Sequence, residues 1–244
     1  MKKRYQKKIL FFVFGIFIVI SGYMFFTKEN FSSLKSIQAN AWEERITEPV
    51  AIGTEENEIQ KLKEEYQNEE VKAILSIENS DFSYPVVQTT NNDYYLTHNI
   101  RLEKDAYGAI YADYRIDLNT SQKKLIFGHS SSKIETPFNT LEEYYNKEYY
   151  DNHKYIILQT EQETYRYEIF SVYVETSDFT YMNLSFDSKL SWYQHLLILK
   201  SKSLYSTDIE ISEDDDILIM QTCSKHPDYK KNSKKYLLIV SRRV

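Results

Sequence analysis

A single cysteine, five glycines and four prolines are spread over 244 residues. Disulfide frameworks need paired cysteines, and collagen-like or low-complexity chains need far more Gly and Pro, so those classes are excluded. What the chain has instead is a globular balance, 42% apolar and 27% charged, and enough length for one full-sized core plus an attachment segment. Its 22 Tyr and 13 Phe suit strands better than helices, so the composition leans towards a β-rich domain. The net charge of −6 hides an asymmetry. Residues 1–8 carry Lys2, Lys3, Arg4, Lys7 and Lys8 and no acid, which leaves 25 basic side chains against 36 acids in the rest. A body that acidic lacks the basic footprint of a nucleic-acid binder.

After the basic cluster comes an apolar run at 9–26, interrupted only by Gly15, Ser21, Gly22 and Tyr23. Eighteen residues in a helix extend about 27 Å, close to the thickness of a bilayer's hydrocarbon core. The rival reading is a cleaved signal peptide, for which Ala39-Asn40-Ala41 supplies a small-x-small site. That site lies well past the apolar run, however, with Glu29 between, so an uncleaved anchor is expected. The positive-inside rule then keeps residues 1–8 in the cytoplasm and puts the rest outside the cell. The polar stretch 27–54, with Pro49 and Gly53, reads as a tether to a domain at 55–244.

Within that domain a helical pattern runs from 55 to about 70, with Ile59, Leu62 and Tyr66 at spacings of three and four. Strands then dominate. β-branched and aromatic runs bounded by turn residues predict them at 72–77, 83–88, 107–113, 123–128, 154–160, 164–175, 215–222 and 235–240. Helical patterns interrupt at about 139–149 and 188–200. Eight short strands with few helices predict a mainly β domain, either a sandwich or a closed barrel.

Cys223 ends one apolar strand and opens into a polar loop, so it is either an inert core thiol or a reactive one. A reactive thiol needs help, because with a pKa near 8.5 it is only a few per cent ionised at pH 7. Among His98, His129, His153, His195 and His226, His195 falls in a helical apolar pattern beside Trp192 and reads as packed. His226 lies in the loop after the cysteine and His98 and His153 in turn-like stretches. His129 alone follows Gly128 at the end of a strand, as Cys223 does. Two strand ends, one His and one Cys, can meet at one rim of a barrel.

These features have an order that is recognisable. Gly128-His129 after one strand, Thr222-Cys223 after another and a last strand twelve residues on resemble the sortase family, membrane-anchored cysteine transpeptidases of Gram-positive bacteria. Tyr84-Pro85-Val86-Val87-Gln88, Asn92-Asp93-Tyr94-Tyr95-Leu96, Tyr107-Gly108-Ala109-Ile110-Tyr111 and Pro137-Phe138-Asn139-Thr140-Leu141 extend the resemblance over about 70–244. With the helix before the cysteine strand, they are most similar to class B.

The resemblance implies an eight-stranded β-barrel with N-terminal helices, no cofactor and no metal. It implies that Cys223 attacks the carbonyl after the Thr of a C-terminal sorting motif on a secreted protein. An amine of a cell-wall precursor or of another protein then resolves the thioacyl enzyme, with His129 as general acid and then base. The family's third catalytic group is an Arg at the start of the final strand, but no Arg lies between Cys223 and Val240. Counting along the strand puts Lys235 at that position, a point charge without the planar five-donor fork. The peptide groove is implied at Asn92, Leu96, Tyr181, Met182, Gln221 and Thr222. The acid-rich stretch 212–216 lacks the spaced ligands of a Ca²⁺ loop. Two alternatives stay open: a sortase fold weakened by the lost Arg into a binding or accessory protein, and a tethered cysteine protease that releases its product to water.

Overall fold

A computed structural model of the protein describes residues 58–244. The segments read as cytoplasmic (1–8), membrane-spanning (9–26) and tether (27–54) lie outside the described residues. No helix among the described residues is long and apolar enough to cross a membrane.

The described residues contain eight strands, β1 (Val71–Ile77), β2 (Ser83–Val87), β3 (Tyr111–Ala112), β4 (Lys123–Phe127), β5 (Tyr155–Thr160), β6 (Thr164–Glu175), β7 (Ile217–Cys223) and β8 (Tyr236–Arg243). They close into a barrel in the order β1-β2-β3-β4-β7-β8-β6-β5, the eight-stranded architecture that the resemblance implies. Side chains alternate between its two faces. Ile126, Leu218, Met220, Leu237 and Ile239 fill the interior with Leu75, Leu158 and Val172. Leu125, Phe127, Ile217, Ile219, Leu238 and Val240 face outward into a second apolar cluster.

That outer cluster is roofed by helices α1 (Glu58–Tyr66) and α3 (Lys189–Ser201). In α3, Trp192, His195, Leu196 and Leu199 are buried at spacings of three and four. Its start is fixed by a capping box, in which the Ser188 side chain accepts from Ser191 N–H and the Ser191 hydroxyl serves the Ser188 backbone.

Two elements differ from the sequence reading. The helical pattern at 139–149 splits into a 3-10 segment (Pro137–Tyr145) and a short helix α2 (Lys147–Asn152), broken at Asn146, whose side chain accepts from Glu148 N–H. Phe138, Leu141 and Tyr144 are all buried, and a spacing of three is the 3-10 period. The strand expected at 107–113 shrinks to Tyr111–Ala112. Gly108 turns at φ +57°, Ala109 N–H bonds the Tyr95 carbonyl, and Asp113 is drawn into an ion pair with Arg115. Pro85 survives within β2 because that strand meets β3 only at Val87, which leaves the missing N–H at an unpaired edge.

Beneath α3 lies a buried polar pair that the strand pattern gave no sign of. Lys123 Nζ is 2.8 Å from His195 Nε2 and donates to the Asn183 carbonyl at 2.9 Å. Burial pushes Lys123 down to about 7. Burial, then the Lys123 and Lys202 charges, push His195 down to about 3, with only Asp178 opposing. Between pH 6.5 and 3, then, the unfolded chain takes a proton that the folded imidazole refuses, and stability falls as pH drops through that window. Chemical denaturation at pH 7.5 and pH 5 should show wild type losing about 2 kcal/mol more than His195→Gln does. Parallel losses in the two proteins would contradict this.

Candidate active site at the barrel rim

Strands β4 and β7 run parallel, in a register that pairs Phe127 with Gln221. Gly128 N–H continues the ladder to the Gln221 carbonyl at 3.2 Å. β4 ends at Phe127 and the chain leaves it through Gly128 and His129, while β7 runs on two residues past Gln221 to Cys223, so both reach the same end of the parallel pair. Cys223 continues the outward-facing alternation of Ile219 and Gln221. On the other flank of β7, Cys223 lies directly opposite Tyr236 of antiparallel β8. Ser224 N–H bonds the Lys235 carbonyl at 2.9 Å, which makes Cys223 and Tyr236 a non-hydrogen-bonded pair with Cα atoms about 4.5 Å apart. Thiol and phenol therefore stand side by side on β7 and β8, and the imidazole lies just past the end of β4 at the same rim.

His129 is held from two sides. Its Nε2 lies 3.0 Å from the Leu96 carbonyl. A carbonyl only accepts, so Nε2 carries the proton and Nδ1 is the basic nitrogen of the neutral ring. That carbonyl is buttressed by Gly108, where a Cβ would come 3.0 Å from Leu96 O and 2.0 Å from Tyr95 O. Behind the ring, Thr136 Oγ1 donates to the His129 carbonyl at 2.7 Å. Asn139 closes the same loop by accepting from Ser131 N–H at 2.8 Å and donating to the Ser131 carbonyl at 3.0 Å. Gly128 is needed for packing, since a Cβ there would meet the Phe138 ring at 2.7 Å.

Cys223 is exposed and unpaired. Burial of its base by the surrounding walls pushes the thiol up, the Glu142 carboxylate adds to that, and the Lys235 ammonium pulls it back. Glu142 is itself pushed up by burial while accepting from Lys225 N–H at 3.0 Å. An exposed thiol beside an oriented imidazole at a strand end is equipped for nucleophilic acyl transfer.

A family model of the sortase domain matches residues 75–243. The chain belongs to the sortase family. It is 30% identical to sortase B of Listeria monocytogenes over 237 residues, 92% of each chain. It is 26% identical to sortase B of Staphylococcus aureus over 173 residues, 70% of each. The solved sortase B of Clostridium perfringens matches with a TM-score of 0.68 at 28% identity, over 76% of this chain and 98% of that one. The protein is thus a class B-like sortase, a transpeptidase by family.

In this sortase the β7–β8 register sets which β8 residues stand near the thiol. Lys235 precedes β8 and lies across from Ser224, whereas the residue across from Cys223 is Tyr236. Among the residues expected to line the groove, Gln221 and Tyr181 meet, the phenol donating to Gln221 Oε1 at 2.6 Å. Tyr181 is buried rather than packed as a surface aromatic. Leu96 is exposed at the His129 turn. Asn92 spends its amide internally, donating to Asp113 Oδ2 at 3.1 Å and accepting from Tyr114 N–H at 3.0 Å. Met182 packs on the outer cluster. Thr222 is buried on the alternate face from Cys223, with its hydroxyl unpartnered.

The other histidines have structural partners. His98 stacks on Tyr94 and His153 on Tyr149, and His226 packs edge-on against Tyr145 rather than standing free in solvent. Among the described residues no cluster of three or more His, Cys, Asp or Glu could hold a metal. In the acid-rich stretch, Asp214 pairs with Lys189, and Asp215 and Asp216 face Arg242 and Arg243. Sequence reasoning missed Glu142, Thr136, Asn139 and Tyr236; only Asn139 carried a signal, within the Pro137-Phe138-Asn139 stretch.

The electrostatics give a direct expectation for the thiol. The rate of Cys223 alkylation by iodoacetamide should rise with pH to a midpoint above the ordinary thiol value of about 8.5. Glu142→Gln should move that midpoint down and Lys235→Gln should move it up. A midpoint indifferent to both variants would contradict the account.

Proposed function

We propose that this sortase is held in the cell membrane by residues 9–26, with its catalytic domain outside. There it joins secreted proteins bearing a C-terminal sorting signal to an amine of the cell wall or of another surface protein. The observation that carries the reading is the parallel β4–β7 register, which brings the end of β4, with His129 two residues on, and the end of β7, with Cys223, to the same rim. A sortase B of Staphylococcus aureus is known as a complex with its substrate, at 25% identity and a TM-score of 0.68, which supports a sorting-signal substrate here.

The chemistry follows from the groups present. Cys223 gives its proton to His129, and its sulfur attacks the carbonyl after the motif's Thr. An amide nitrogen leaves poorly until protonated, so the imidazolium returns the proton to it as the C–N bond breaks, leaving a thioacyl enzyme. The same ring then takes a proton from the incoming amine, and the thiolate departs. Lys235 is the nearby cation that favours the thiolate. Tethering keeps the site close to substrates that are themselves held at the membrane and raises their effective concentration.

The second reading, a weakened binding or accessory protein, is favoured by one observation: no Arg stands between Cys223 and Val240. Intact mass after incubation with a panel of sorting-motif peptides separates the two. An acyl adduct on wild type, absent from Cys223→Ala and released faster by an added amine, is expected. A folded protein with an alkylatable thiol and no adduct across the panel would favour the binding module. Release to water at an unchanged rate would favour a protease. His129→Ala should lower adduct formation by about 100-fold or more, as loss of a general acid–base does.

A further inference from the structure

Cleavage through Cys223 develops negative charge on the attacked carbonyl oxygen, and a donor must meet it. With no Arg in the preceding loop, the register itself indicates which side chain stands there. We propose that Tyr236 is a catalytic residue of this site, its phenolic O–H donating a hydrogen bond to the carbonyl oxygen as the tetrahedral adduct forms on Cys223. The proposal deepens the transpeptidase reading and rests on it for the identity of the bond attacked.

Four observations converge. First, Tyr236 is the cross-strand partner of Cys223, in the closer, non-hydrogen-bonded kind of pair, where side chains on one face touch. Second, β7 has β4 as its neighbour on the side away from β8, and His129 follows the end of β4 at the same rim. A scissile group lying over Cys223 therefore has the proton carrier on one side and the phenol on the other. Third, the Tyr236 ring is held edge-on by Phe179, with centroids 5.9 Å apart. The Lys234 ammonium lies over the same Phe179 ring at 5.6 Å from its centroid. Fourth, Tyr236 is only half-buried, and its hydroxyl makes no hydrogen bond to another described residue. The neighbouring phenol of Tyr181 is by contrast committed to Gln221 Oε1.

Lys235 lies across from Ser224, out of step with this row, and acts on the sulfur's charge. The two charges that develop are thereby met separately: Lys235 favours the thiolate and Tyr236 receives the oxyanion. In the step itself the S–C bond forms, the carbonyl π pair moves onto oxygen, and Tyr236 shares its proton without transferring it. The pair returns as the C–N bond breaks, and the amine leaves with the proton from His129.

The test compares acylation with alkylation on the full 244-residue chain in detergent. Tyr236→Phe removes one oxygen and keeps the ring against Phe179. Acylation by p-nitrophenyl acetate passes through an oxyanion, expels a phenolate that needs no proton and requires no sorting motif. Alkylation by iodoacetamide forms no oxyanion. Tyr236→Phe should slow p-nitrophenol release, and peptide acylation with it, by about 100- to 1,000-fold in kcat, the usual effect of deleting one oxyanion donor. Its iodoacetamide rate and pH midpoint should match wild type.

Unchanged acylation in Tyr236→Phe would overturn the proposal, as would equal loss of acylation and alkylation, which would mark a structural role. A wild type that accepts p-nitrophenyl acetate in a Tyr236-dependent way but no peptide would sink the transpeptidase reading and leave the phenol's role standing.

Discussion

Everything at this rim depends on two strands running the same way. In an antiparallel hairpin the C-terminal end of one strand faces the N-terminal end of the next, so two strand-end residues would be held apart. Because β4 and β7 are parallel and in register, both end at the same edge, and His129 and Cys223 come together although they lie far apart in the chain. A parallel pair needs a long crossover. Here the crossover is put to use: α2, β5, β6 and α3 all lie between β4 and β7. The same crossover carries the 3-10 segment Pro137–Tyr145, with Glu142 near the thiol, the 3-10 turn Thr180–Met182, with Tyr181 against Gln221, and α3, one of the two roof helices.

The remaining devices constrain single groups on that frame. The Leu96 carbonyl selects the imidazole tautomer, and Gly108 lets the backbone come close enough to place that carbonyl. Thr136 and Asn139 tie down the loop that follows. Charge is balanced around the sulfur rather than heaped beside it, with Glu142 opposing ionisation and Lys235 favouring it. Such a thiol stays largely protonated until a substrate and a base are in place.

Much of this was legible in the sequence because barrel strands are rich in β-branched and aromatic residues and end at turns. β-branched and aromatic runs bounded by turn residues marked seven of the strands within a few residues, and the strand ends of His129 and Cys223 stood out for the same reason. The short strand at Tyr111–Ala112 was over-read, since alternation cannot reveal that Gly108 turns the chain or that Asp113 is drawn away by Arg115. That Tyr236 is the residue facing Cys223 across β7 and β8 was not legible. The loop from 224 to 235 contains its own 3-10 turn at Pro227–Tyr229, and no counting rule predicts how many residues such a loop consumes. Asn92 shows a different limit: a polar turn residue looks alike in sequence whether its amide faces a ligand or its own backbone.

The account's central claim is that His129 is oriented by Leu96, with Nε2 protonated, and stands beside Cys223. The most direct measurement is the pair of ring-nitrogen chemical shifts of ¹⁵N-labelled His129, before and after alkylation of Cys223. A protonated Nε2, and a bare Nδ1 whose resonance shifts when the sulfur is modified, is the predicted result. A ring protonated at Nδ1, or one whose resonances ignore the modified cysteine, would contradict it.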